Sequence, residues 1–136
     1  GLSNVSPCHK RHGAATRAAV RVWGLELVCQ EPADYSPALT AVMVPQGHDA
    51  DEFRKIVLEK FDMSLGTGLA KLKGKAFRIG HIGHFNDLML MGTLAGVEMG
   101  LDLAGIPHQK GGVLAAMDIL KRQDTMPMVQ PQSAVA

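Results

Sequence analysis

The sequence predicts an α/β sandwich of the α+β kind, in which a small, mostly antiparallel sheet is covered by helices. Three observations carry that prediction. Helical spacing of apolar residues recurs in separate stretches, and short runs rich in β-branched residues stand between them. Two of the extended runs are neighbours joined by a Gly-containing loop, which favours antiparallel pairing. Finally, 136 residues with 46% apolar and 20% charged side chains suit one folded domain with its own core.

In order along the chain, residues near His9 to Trp23 read as a helix with a small apolar stripe at Ala14, Ala15, Ala18, Ala19 and Val22. Gly24 stands where a C-cap belongs. Lys10, Arg11, Arg17 and Arg21 fall on the other faces and are expected to be solvated, because no aromatic residues interleave them as in a nucleic-acid surface. Glu31 to Pro37 is turn-like, and Ala38 to Val44 reads as a buried strand.

A loop at Pro45 to His48 precedes Asp49, which with Glu52 gives a capping-box start to a second helix. Phe53, Ile56, Val57 and Phe61 form that helix's apolar face. Met63 to Leu69 is expected as a short strand or irregular extended piece, Lys71 to Lys75 as a polar loop, and Ala76 to Ile82 as the partner strand. The longest helix then starts near Asn86 or Asp87, with Gly92, Gly96 and Gly100 four apart on one smooth face suited to close packing. Gly105, Ile106 and Pro107 end it. Gly112 to Arg122 reads as a final amphipathic helix with Val113, Leu114, Met117 and Leu120 inward, and the aperiodic, proline-bearing end is expected to be disordered.

The chemistry concentrates in Phe77-Arg78-Ile79-Gly80-His81-Ile82-Gly83-His84-Phe85-Asn86-Asp87, a strand that ends in glycines and runs into a helix N-terminus. Arg78 offers a planar fork that pairs both oxygens of a carboxylate, and a strand fixes it more firmly than a loop. Taken alone, its residue type and position fit a structural ion pair equally well. His81 and His84 lie three apart without a third ligand at suitable spacing, so no metal site is expected of them. His9, His12, His48 and His108 form no recognisable constellation. Lys71, Lys73 and Lys75 alternate in a basic loop expected to be solvated, unlike a Schiff-base lysine, which must be desolvated to act as a nucleophile.

The segment FRIGHIGHFNDLMLMGTLAGVEMGL, with LTAVMVPQGHDADEFRK and GLAKLKGKAFRIGH before it, resembles the terminal region of class V aminotransferases of the serine–glyoxylate and alanine–glyoxylate kind. The resemblance runs from about Arg11 through Ile119. It implies the C-terminal small domain of a fold-type I enzyme dependent on pyridoxal phosphate, with residues 1–24 as a linking helix from a large domain, 25–122 as the small domain and 123–136 as a tail. It implies that Arg78 binds the substrate carboxylate, supported by the backbone at Gly80 and Gly83, whose lack of a side chain suits the approach of a ligand. His84 stands where the family more often carries Asp or Asn, leaving Asn86 or Asp87 to cap the helix.

The same resemblance implies an amino acid and a 2-oxo acid as substrates, a homodimer as the complete enzyme, and pyridoxal phosphate held by the large domain, none being bound by this chain alone. The start at Gly1, leading almost directly into a helix, reads as a cut. On that expectation the chain by itself is inactive, and the alternatives are a free-standing carboxylate-binding module or a dimerisation fragment.

The net charge of +1 offers no global field for nucleic acid or membrane surfaces. No apolar run reaches the roughly 20 residues of a spanning helix. Cys8 and Cys29 lack metal or redox spacing and no signal peptide precedes them, so a reduced, cytoplasmic setting is expected.

Overall fold

The computed structural model describes residues 7–36, 39–80 and 86–122. Helix α1 (Pro7–Trp23) ends as Gly24 enters the left-handed region at φ 79°. There the Gly24 N–H donates to the Arg21 carbonyl and the Leu25 N–H to that of Val20, the paired bonds of a Schellman ending. Gly24 is therefore the expected cap.

Strand β1 (Glu26–Leu27) follows, then β2 (Leu39–Met43), helix α2 (Ala50–Phe61), β3 (Gly66–Thr67), β4 (Ala76–Gly80), helix α3 (Asp87–Leu103) and helix α4 (112–122). Single 3-10 turns at Pro32–Asp34 and Ala70–Leu72 lie in the connections. Asp49 caps α2 by accepting from the Asp51 N–H, and Asn86 caps α3 by accepting from the Met89 N–H. Gly105, at φ 70°, closes α3 as Gly24 closes α1.

The four strands form one sheet in the order β1-β2-β4-β3, every pair antiparallel. Its centre is the five-residue ladder of β2 and β4, running from Leu39 opposite Gly80 to Met43 opposite Ala76. β1 is an edge strand that the sequence does not announce: two residues are too few for an alternating pattern. The extended piece from Met63 to Leu69 contributes only Gly66 and Thr67 to the sheet.

Because side chains alternate along a strand, β4 presents Phe77 and Ile79 to one side and Ala76, Arg78 and Gly80 to the other. Phe77 and Ile79 are fully buried, and the Phe77 ring lies 4.7 Å from that of Phe53 on α2. Their partners Val42 and Thr40 are buried with them. α1 packs on β1 and β2, α2 on β3 and β4, and α3 against both helices, so one continuous core lies on this side of the sheet. On the opposite side Leu39, Ala41 and Met43 are half-buried and Glu26 is exposed.

Two expected faces are corrected. On α1 the buried set is His12, Gly13, Ala15, Thr16, Ala19, Val20 and Trp23, with Ala14, Ala18 and Val22 at its margin. The helix is turned so that Trp23 rather than Val22 enters the core. On α4 Leu120 is buried and Val113 half-buried, as expected, whereas Leu114 and Met117 are exposed and Ala116 takes the inward position. The cause is Gly112, where an added Cβ would stand 2.3 Å from Trp23 Nε1 and 2.9 Å from the Ala19 carbonyl oxygen. Close approach there fixes the start of the helix against α1, and the Gly112, Ala116, Leu120 row is the buried one while Leu114 and Met117 face outward.

Candidate active site on the open face of the sheet

Arg78 sits mid-strand on β4, between Ala41 of β2 and Gly66 of β3, on the face turned away from the helices. Its Nε donates to the Thr67 carbonyl at 2.9 Å. The side chain lies across β3 at Gly66, where an added Cβ would come within 3.1 Å of both Arg78 Cβ and Nε. Gly66 is thus part of the seat of the arginine. Thr67 itself points to the helix side, its hydroxyl donating to Asp51 Oδ1 on α2.

Among the described residues Arg78 makes no ion pair, so the structural-partner reading of this arginine finds no carboxylate to support it. With Nε committed to the backbone, the edge formed by the two terminal nitrogens has no hydrogen-bond partner among the described residues. That edge matches a carboxylate, two parallel N–H donors facing two oxygens.

Gly80 ends β4 with φ outside the left-handed region, and an added Cβ would meet nothing within 4 Å among the described residues. Among the described residues, neither backbone conformation nor a neighbour demands glycine there. His81, Gly83 and His84 lie outside the described residues.

The structure brings together a second group that sequence reasoning missed. Arg11 Nη2 lies 2.5 Å from Asp87 Oδ2, and His12 Nε2 lies 2.8 Å from Asp87 Oδ1. The His12 side chain is fully buried and that of Arg11 only 14% exposed, which corrects the expectation of a solvated Arg11 and of an unconnected His12. Arg17 is also not free in solvent, its guanidinium carbon lying 4.2 Å from the centre of the Tyr35 ring. No spacing in the sequence announces the Asp87 group, whose members stand 75 and 76 residues apart.

A third polar junction holds α4. Trp23 Nε1 and the Gly112 N–H donate to Glu98 Oε1 at 2.6 and 3.0 Å. Val113 also donates to Oε1, and Gly111 to Oε2. Burial pushes the Glu98 carboxyl up, but the Trp23, Gly111, Val113 and Gly112 hydrogen bonds outweigh it and hold the group below its ordinary value of 4.5.

Lys71, Lys73 and Lys75 are exposed, as is every lysine among the described residues. None has the desolvated setting that a Schiff-base lysine requires. Among the described residues no three His, Cys, Asp or Glu side chains are grouped to hold a metal ion. No described helix is long and apolar enough to cross a membrane.

No family profile matches the chain. Individual proteins do. A serine–glyoxylate aminotransferase of Arabidopsis thaliana is 47% identical over 122 residues, 89% of this chain and 30% of that protein. An L-aspartate–glyoxylate aminotransferase of Paracoccus denitrificans is 42% identical over 92% of this chain and 32% of its own length. Among solved structures, the ureidoglycine–glyoxylate aminotransferase of Bacillus subtilis superposes with a TM-score of 0.76 at 29% identity, covering 83% of this chain and 30% of that one. The chain therefore spans about a third of the length of the relatives it matches. Over nine-tenths of its length the chain is homologous to the class V serine– and aspartate–glyoxylate aminotransferases, and its match to about 30% of each is consistent with a C-terminal domain of that fold.

Proposed function

We propose that this chain is the substrate-carboxylate part of a transaminase dependent on pyridoxal phosphate, which moves an amino group from serine or alanine to glyoxylate or pyruvate. Arg78 pairs with the α-carboxylate of the amino acid and of the 2-oxo acid. The observation that carries this reading is the state of the Arg78 side chain. Its Nε is tied to Thr67 and its stem rests on Gly66, on the face of the sheet opposite the described helices. A guanidinium held in this way loses little further freedom on binding, so the two charge-assisted hydrogen bonds contribute nearly in full.

The described residues do not fit a covalent site for pyridoxal phosphate, since their lysines are all exposed. On this reading the cofactor is held by the remainder of the enzyme. Residues 1–24 then serve as the linking helix and 25–122 as the small domain, with Gly80 and Gly83 as supporting backbone and the complete enzyme a cytoplasmic homodimer.

The polypeptide as its source cells make it is the material for the test. Supplied with serine and glyoxylate it is expected to form hydroxypyruvate and glycine in equal amounts. Saturable binding of serine without any amino transfer would overturn the transaminase reading in favour of a carboxylate-binding module.

A further inference from the structure

The strand that carries the Arg78 seat has little of its own to hold it. β3 is two residues long, stands at the edge of the sheet and bonds to β4 alone, where strands usually run about 3–10 residues. A second grip comes from α2. Arg54 Nε donates to the carbonyl of Leu65, just before β3, at 2.8 Å, and Arg54 Nη1 donates to Asp51 Oδ1 at 3.2 Å. The Thr67 hydroxyl lies 3.3 Å from Asp51 Oδ1 and 3.3 Å from the Gly68 carbonyl. It has one proton to give, and the carboxylate is the stronger acceptor. Asp51 and Arg54 stand three residues apart on α2, so they present one face to β3.

β3 is engaged from both sides of the sheet. The Thr67 hydroxyl meets α2, while the Thr67 carbonyl accepts from Arg78 Nε at 2.9 Å and Gly66 lies under the arginine stem. Direct contacts therefore run from Arg54 through Asp51 and Thr67 to Arg78, from a helix on the covered side to the guanidinium on the open side.

We propose that Asp51 and Arg54 are positioning residues for the carboxylate site, acting through Thr67. They hold β3 where the Thr67 carbonyl fixes Arg78 Nε, and so preorganise the arginine without touching its ligand. This rests on the reading of Arg78 as the substrate-carboxylate partner. The Asp51–Arg54 pair is part-exposed, its side chains at 33% and 29%, and pairs of that kind add little to stability. The effect belongs in binding rather than in melting.

The experiment uses the complete enzyme. Thr67→Val removes the hydroxyl but keeps the branched shape and the backbone carbonyl, Thr67→Ser keeps the hydroxyl, and Arg54→Met removes both donors of the other tie. Asp51 is left in place, because an acid in the first turn also favours α2 through the helix dipole. Thr67→Val and Arg54→Met are each expected to raise KM for the amino acid and the 2-oxo acid about three- to tenfold while kcat changes less than about twofold, the pattern of lost uniform binding. Thr67→Ser is expected to stay within about twofold of the wild type. In a background of Arg78→Ala, Thr67→Val is expected to leave kcat/KM unchanged, because the tie acts only through the arginine.

Unchanged KM in Thr67→Val and Arg54→Met would make the α2 ties merely a brace of the fold and overturn the proposal. An equal loss of kcat/KM from Thr67→Val with Arg78 absent would overturn it as well, since the tie would then act elsewhere. Arg54→Met leaves β3 itself unaltered and decides the matter if Thr67→Val does not fold. Arg78→Ala alone separates the two ideas. If it raises KM and the Thr67 and Arg54 variants do not, the positioning role alone fails; if it leaves KM unchanged, the carboxylate reading fails and the proposal with it.

Discussion

Arg78 is singled out in the sequence by its surroundings, a strand followed at once by glycines and a helix start, but residue type and position alone fit a structural ion pair equally well, and only the family resemblance favours a carboxylate. Its seat is not singled out. Gly66 and Thr67 come from another strand, and nothing in their local pattern distinguishes a glycine under an arginine from an ordinary loop glycine. Gly66→Ala tests the seat. The new methyl group would crowd Arg78 Cβ and Nε at 3.1 Å, so the variant is expected to raise KM for carboxylate substrates several-fold while the protein stays folded by circular dichroism. His12 and Asp87 stay hidden for the same reason, since residues 75 apart meet only once the helices have packed. Glu98 gives a pH dependence with a definite sign. Its folded-state pKa lies below the ordinary 4.5, so its contribution is present above that value and is lost as pH falls through the lower, folded one. Docking of α4 on Trp23 is therefore expected to hold at neutral pH and to loosen in acid. Trp23 fluorescence checks this, with Glu98→Gln expected to flatten the acid transition.

At the scale of elements, the helices were readable wherever a cap and a stripe coincided. Asp49, Asn86, Gly24 and Gly105 mark ends that the structure keeps. Facing was less readable, because Gly112 decides how α4 sits, and a glycine's missing side chain leaves no hydrophobic signal. The glycine row of α3 divides in the same way. At Gly100 an added Cβ would stand 2.5 Å from Val57 Cγ2 and 3.0 Å from Phe53 Cε1, and at Gly96 it would stand 2.9 Å from the flexible end of Met63. At Gly92 it would meet nothing within 4 Å among the described residues. Close packing was thus expected of the whole row and holds for two of its three members. Gly100→Ala is expected to destabilise the fold by about 1–3 kcal/mol through overpacking. Gly92→Ala is expected to stabilise it by about 0.5–1 kcal/mol through helix propensity. Thermal or denaturant unfolding of the two variants distinguishes them.

For the molecule as a whole, composition and element order were enough for a sheet covered by helices, but not for its one-sidedness. All the helices described share one core on one face, leaving Leu39, Ala41 and Met43 half-buried around Arg78. Apolar surface of this kind promotes association when nothing covers it. The chain by itself is expected to self-associate in sedimentation experiments, and monomeric behaviour at high concentration would argue against an interface on that face.

The most direct measurement is the steady-state kinetics of Arg78→Ala and Arg78→Lys in the complete enzyme, with serine as donor and glyoxylate as acceptor. Loss of a charge-assisted, two-pronged hydrogen bond costs about 2–5 kcal/mol, so the account predicts a fall in kcat/KM of roughly 30- to several-thousand-fold for Arg78→Ala. Arg78→Lys should fall between Arg78→Ala and the wild type, because an ammonium keeps the charge without the fork. Wild-type kcat/KM in Arg78→Ala would contradict the account and remove Arg78 from the substrate site.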